Sequence, residues 1–296
     1  MTRFDPTQLK PADTHPALLG SLLPPSGVTP LNFSPGPTSL AAEVQAGIKA
    51  LFDAERMCSM YLSHRSPEFL DILASVVQRC RTAMSIPEQY EILFMHGGGH
   101  GQFAAVPLNL CPRGDEKATY LVNGTWSKRA LIDASKYCNP VVVSSENQDG
   151  TFTNNPSFEN LNPESKYVYL CSNETVNGIE LHRLPKLDIK APLVVDASSD
   201  FSTKPIDWVG CNVGVLYACA SKNIGHPGLT LCVIRRDLLG TPSQLCPGVL
   251  CYTTNVREGN LWNTIATFNV EVVSIFMRWM IAQGGVLEME RRSIAK

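Results

Sequence analysis

The sequence predicts an α/β domain built on a mostly parallel mixed sheet with helices on both faces. Three observations carry that expectation. Short apolar runs alternate with helical patterns from about residue 68 to 235. The runs are almost continuously apolar, as strands covered on both faces are. A chain of 296 residues with 44% hydrophobic content can also fill one large core.

The strand runs are Glu91–Met95, Thr119–Val122, Val141–Ser144, Tyr167–Cys171, Leu193–Asp196, Val213–Ala218 and Leu229–Ile234. Helices are expected around Pro67–Met84, Gly101–Leu110 and Ser127–Lys136. Further on, Glu271–Gln283 carries Val272, Ile275, Phe276, Trp279 and Met280 at helical spacing, and Gly284-Gly285 supplies its cap. A second helical pattern, Leu287–Lys296, follows without an evident partner and reads as the start of an interrupted domain. Residues 1–30 are proline-rich, with eight prolines up to Pro37, and read as an extended arm. The division expected is therefore an arm (1–30), a large domain (31–283) and the beginning of a small one (284–296).

Composition excludes several function classes. A formal charge of −2 and a charged fraction of 18% argue against nucleic-acid or membrane-surface partners. No signal-peptide pattern and no apolar run of membrane-spanning length appears, so a soluble, cytoplasmic protein is expected. Ten cysteines include Cys171, Cys219 and Cys232 in or beside apolar runs, without zinc spacing. They are expected to be reduced thiols, and no metal site is expected.

Three places carry chemistry. His96-Gly97-Gly98-Gly99-His100-Gly101 follows a strand and opens a helix, where glycines let backbone N–H groups crowd an anion at the positive helix end. A dinucleotide fingerprint would need Gly where Gln102 stands, an oxyanion loop would need a GxSxG elbow, and a zinc site would need HExxH. A phosphate cup and a plain tight turn remain. Asp196 ends an apolar strand, either as an ordinary strand-end cap or as counter-ion to a protonated pyridine nitrogen. Lys222, between the next strand and Gly225, is a solvated loop residue or a covalent cofactor anchor.

Taken together, the order of glycine cup, aromatic residue, Asp and Lys resembles the fold-type I pyridoxal-phosphate enzymes. Seven collinear motifs narrow the resemblance: Asn32–Pro37, Ser63–Arg65, His96–Asn109, Asn123–Trp126, Ser172–Thr175, Asp196–Ser199 and Lys222–Gly225 are similar to those of the phosphoserine aminotransferase family. The resemblance runs from about Leu31 to Lys296. It implies pyridoxal 5′-phosphate as cofactor and a homodimer with shared active sites. Gly99 and His100 would contact the cofactor phosphate, with Ser221 in the same pocket. Trp126 would stack on the ring, Thr175 would bond its hydroxyl, and Asp196 would pair with its nitrogen. Lys222 would anchor the cofactor and shuttle the proton. Asn263 and Thr264 would reach the neighbouring subunit's phosphate, and His64 and Arg65 would bind the acidic ends of the substrate.

The implied reaction is reversible transamination of phosphoserine with 2-oxoglutarate, giving 3-phosphohydroxypyruvate and glutamate, for serine and also pyridoxine synthesis. The chain departs from the family pattern at His100, at Ser221, where Gln is usual, and at Ile265-Ala266, where Pro-Pro is usual. The family's small C-terminal domain, with its carboxylate-binding arginines, is also expected to be largely missing. Two rivals follow: a non-catalytic cofactor-binding isoform or fragment, and another class V aminotransferase of the alanine–glyoxylate type.

Overall fold

The computed structural model describes residues 35–53 and 57–296. The arm expected over residues 1–30 and the start of the motif at Asn32 lie outside the described residues. The principal elements begin with helices α1 (Ala42–Asp53) and α2 (Pro67–Met84), strand β1 (Tyr90–Met95) and α3 (Gly98–Leu110). Next come β2 (Lys117–Val122), α4 (Thr125–Ala134), β3 (Asn139–Ser144) and β4 (Val168–Cys171). A short hairpin, β5 (Asn173–Glu174) and β6 (Ile179–Glu180), precedes β7 (Leu193–Asp196), β8 (Val213–Cys219) and β9 (Thr230–Arg235). Helices α5 (Tyr252–Arg257), α6 (Thr267–Ala282) and α7 (Gly285–Ile294) complete the order.

Seven strands form one sheet in the order β1-β9-β8-β7-β4-β2-β3. From β8 to β3 every pairing is parallel, and β9 alone opposes its neighbours. Strand alternation sorts the core: on β1, Ile92 and Phe94 enter one apolar cluster while Leu93 and Met95 enter another. The first cluster is covered by α2 and α6 through Phe69, Leu73, Val272 and Phe276. The second is covered by α3 and α4 through Phe103, Val106, Ala130 and Ala134. Each large apolar side chain so buried contributes roughly 1.5–3 kcal/mol, which is why strands without a polar face are stable here.

Local signals set the element ends. The Ser66 hydroxyl accepts the Phe69 N–H at 3.3 Å and Pro67 takes the first helical position, so α2 starts where it was expected. Ser85 ends that helix in the left-handed region, and Arg81 then donates to the carbonyls of Ile86, Pro87 and Tyr90, steering the chain into β1. Gly284 and Gly285, at φ 109° and 74°, break α6 from α7 with a bend of 82°.

One expectation needs correcting. The last helical pattern does have partners: Val286 and Met289 are buried in the first cluster, Glu290 pairs with Arg183, and Arg292 lies over the Trp279 ring. The helix also begins at Gly285, earlier than predicted, because the glycine pair reverses the chain onto the core. The ten cysteines are unpaired, eight of them buried. No single helix among the described residues is long and apolar enough to cross a membrane.

Strands β1, β2, β4, β7 and β8 share one direction, so His96, Asn123, Ser172, Ala197 and Ala220 emerge at the same sheet edge. Carboxyl ends of parallel strands are where α/β sheets hold ligands.

Candidate active site

A cavity of about 200 Å³ opens at this edge, and seven predicted residues line it: Gly99, His100, Trp126, Thr175, Asp196, Ser221 and Lys222. They arrive from five different strand ends and converge only through the sheet topology. The same wall includes Ser198, Ser199, Asn173 and Phe103, which the sequence does not mark individually, and Cys171 and Cys219, which were expected only as reduced thiols.

The glycine run forms the tight entry into α3. Gly97 caps the helix at φ 93°, and Gly98 follows at φ 62°, a conformation that L side chains resist. The amide of Gly99 therefore faces inward at the positive helix end, donating to the Cys219 sulfur at 2.8 Å. The His100 ring is exposed and meets Trp126 edge-on at 6.1 Å.

Trp126 opens α4, with its indole N–H donating to the Thr175 hydroxyl at 3.0 Å. The Arg129 guanidinium lies 4.9 Å from the Trp126 ring centroid, a cation–π contact three residues along the helix. The i, i+3 spacing could have revealed this pair in the sequence.

Asp196 is 5% exposed at the end of β7. Its Oδ1 accepts the Ser198 amide at 2.9 Å, so the strand-end cap and the buried carboxylate are one residue. Burial pushes its carboxyl up to about 6, while hydrogen bonds from Ser198 and Tyr217 hold it lower than burial alone would. The Lys222 loop is pinned on both sides. Thr38 N–H donates to Ser221 O at 3.0 Å, and the Asn223 amide bonds the carbonyls of Ser199 and Phe201. A Cβ added to Gly36 would stand 2.7 Å from Lys222 Nζ, so the glycine leaves room for the amine.

Four predicted residues do not line this cavity: His64, Arg65, Asn263 and Thr264. Arg65 is exposed and donates to Leu261 O at 3.3 Å. His64 Nε2 is out of contact with solvent and has no hydrogen-bond partner among the described residues; burial first, and the Arg65 charge second, lower its pKa. Thr264 O sits 3.2 Å from His96 Nε2, so this loop is tied near the start of the glycine run without entering the cavity.

Pyridoxal phosphate fits the residues present. A buried carboxylate whose pKa is raised by desolvation calls for a cationic partner, which a protonated pyridine nitrogen supplies. The inward amide at the α3 N-terminus suits a phosphate, and the pinned lysine suits a carbonyl.

Comparison with known proteins agrees. Residues 31–292 match the family Aminotransferase class-V. A phosphoserine aminotransferase from Albidiferax ferrireducens is 38% identical over 279 residues, spanning 90% of this chain and 75% of that protein. The chloroplastic phosphoserine aminotransferase 2 of Arabidopsis thaliana is 36% identical over 90% of this chain, which spans 64% of its length. The PLP-bound phosphoserine aminotransferase of Trichomonas vaginalis matches with a TM-score of 0.81 at 31% identity, over 88% of this chain and 73% of that one. The chain thus belongs to the class-V aminotransferases, as a fold-type I, pyridoxal-phosphate-dependent member of the phosphoserine aminotransferase family.

Proposed function

We propose that the protein transfers the amino group of phosphoserine to 2-oxoglutarate, reversibly, yielding 3-phosphohydroxypyruvate and glutamate. The observation that carries this reading is the convergence of Asp196, Lys222, Trp126 and the α3 N-terminus on one cavity. When bound, pyridoxal phosphate draws electron density away from the substrate Cα and so acidifies its hydrogen. The protein's residues set up that chemistry. Asp196 keeps a positive partner in place, and the amides around Gly99 and His100, with Ser221 nearby, hold a phosphate. Trp126 offers a ring face, and Thr175 keeps its hydroxyl proton available because its oxygen is the acceptor from Trp126. Lys222 Nζ would hold the cofactor at rest and, once displaced by the substrate amine and free again, would take up and return the substrate Cα proton.

The assembly proposed is a homodimer with shared sites, in which His64, Arg65, Asn263 and Thr264 serve the neighbouring cavity. Their position outside their own cavity supports this, as do the exposed Met57, Tyr61 and Trp262 in the flanking segments, at 61%, 71% and 44%. A cytoplasmic setting, a contribution to pyridoxine synthesis, and a small second domain beginning at residue 284 complete the proposal. A second reading, cofactor binding without turnover, is favoured by one observation: among the described residues lining the cavity there is no arginine to hold a substrate carboxylate.

The test is a visible spectrum followed by glutamate or phosphoserine addition. A yellow protein whose band shifts with either amino acid supports transamination. Colour without any shift supports the second reading, and a colourless protein overturns both.

A further inference from the structure

Helix α4 has no open N-terminus, because its first amides are all taken by the β5–β6 hairpin. Thr125 N–H donates to Asn177 Oδ1 at 2.8 Å. Trp126 N–H donates to Glu174 Oε2 at 2.8 Å, and Ser127 N–H to Glu174 Oε1 at 2.6 Å. The Ser127 hydroxyl adds another bond to the same Oε1 at 2.7 Å. Glu174 is fully buried. A buried carboxylate is stable only when its charge is met, and here three donors at the positive end of a helix meet it.

The hairpin is itself fixed from below. Ser172 Oγ donates to Asp200 Oδ1 at 2.6 Å, and Lys204 Nζ reaches Glu180, Asp200 and the Leu181 carbonyl. The residue after Glu174 is Thr175, which accepts the Trp126 indole N–H. Trp126 is therefore held twice by adjacent hairpin residues, at its backbone by Glu174 and at its ring by Thr175. Neither hold is adjustable without moving the other.

We propose that Glu174 is a positioning residue for the cofactor. Its carboxylate sets the depth and tilt at which the Trp126 ring faces the cavity, and it occupies the α4 N-terminus so that a phosphate meets only the α3 amides. The inference rests on the reading of Trp126 as the residue that faces the cofactor ring. Close approach supports it: a Cβ on Gly124 would lie 2.5 Å from Glu174 Cδ, so the chain leaves that position bare and the carboxylate seats against the backbone.

The experiment compares the cofactor-loaded protein with Glu174→Gln, Gly124→Ala and Trp126→Ala. Three quantities are read: the circular dichroism induced in the cofactor's visible band, its dissociation constant, and Tm. Gln turns one bridging acceptor into an NH₂ group that confronts an N–H, and the alanine methyl pushes the carboxylate aside while leaving its charge. Both are expected to weaken the induced signal at least twofold and loosen the cofactor roughly threefold to tenfold, the scale of one aromatic contact. In Glu174→Ala, added formate is expected to restore the signal while chloride at equal ionic strength does not. If Glu174→Gln and Gly124→Ala lower Tm but leave the signal and affinity unchanged, while Trp126→Ala alters both, Glu174 is only a helix cap and the inference fails. If Trp126→Ala alters neither, the reading of Trp126 is what fails, and the inference falls with it.

Discussion

The backbone amide of Gly99 donates to the sulfur of Cys219 across 2.8 Å, at the end of α3 where a phosphate is expected to sit. A thiol is a weak acceptor, and an amide at a positive helix end is better matched to an anionic oxygen. Ser198 Oγ also points to this sulfur at 3.4 Å, so Cys219 is built into the wall rather than swinging freely. Cys219 thus competes with a ligand for that amide. Replacing it with alanine is expected to tighten cofactor binding by roughly twofold to tenfold, the worth of one net hydrogen bond. Equilibrium dialysis of the two proteins decides it, and weaker binding in Cys219→Ala would show that the sulfur itself supports the cofactor.

Asp196 makes the cofactor-free protein sensitive to pH. Its carboxyl titrates near 6 in the fold against an ordinary value near 4, because burial disfavours the charge. A raised carboxyl pKa contributes stability that is fully present below the unfolded value and is lost as pH rises through the folded one. The loss across the window from about 4 to about 6 is on the order of 3 kcal/mol. Urea titrations of the cofactor-free protein should follow that fall, and Asp196→Asn should flatten it. Adding cofactor to the wild-type protein should recover stability at pH 7. An equally steep decline in Asp196→Asn would assign the pH dependence to other groups.

Gly36 and Lys222 constrain each other directly. An alanine methyl at position 36 would stand 2.7 Å from Nζ, and the φ of 133° resists any side chain. Gly36→Ala should therefore displace the amine. Borohydride treatment followed by peptide mapping should place the label on Lys222 in the wild-type protein, and its yield should fall at least tenfold in the variant. Full labelling in Gly36→Ala would mean that the loop relaxes around the methyl. A label on any other lysine would remove Lys222 from its proposed role.

Much of this arrangement is legible in the sequence where one residue type at one place carries the signal. Leu193–Asp196 is a buried strand ending in a carboxylate, and both its limits and its charge can be read directly. The Ser66-Pro67 pair likewise marks the start of α2. Helix α1 is harder to see because only Val44 and Leu51 are buried along it. The start of α3 at Gly98 is masked by glycines that locally favour a turn, and is helical because β1 and Cys219 fix the approach. Cys219 and Ser198 carry no signal alone. Their parts in the site come from distances that only the folded sheet creates, and the same holds for the carboxylate of Glu174 at the head of α4.

Shared active sites make a quantitative prediction about mixed dimers. If Arg65 serves the neighbouring cavity while Lys222 serves its own, Arg65→Ala and Lys222→Ala damage the same site from opposite chains. Each homodimer then has two damaged sites. A heterodimer has one site with both defects and one with the wild-type Lys222 and Arg65 together. Random reassociation makes half the dimers mixed, so about a quarter of wild-type sites should reappear under the geometry of an isologous dimer. The readout is the spectral half-reaction with glutamate, measured on each variant alone and after unfolding and refolding the mixture. Arg65 is exposed, and among the described residues its side chain bonds only the Leu261 carbonyl, so its removal should leave the fold intact. Recovery near that fraction would establish both the dimer and the crossing of Arg65 into the partner's cavity. A mixture no more active than its two components would mean that each chain completes its own site, and that Arg65 acts, if at all, within its own subunit.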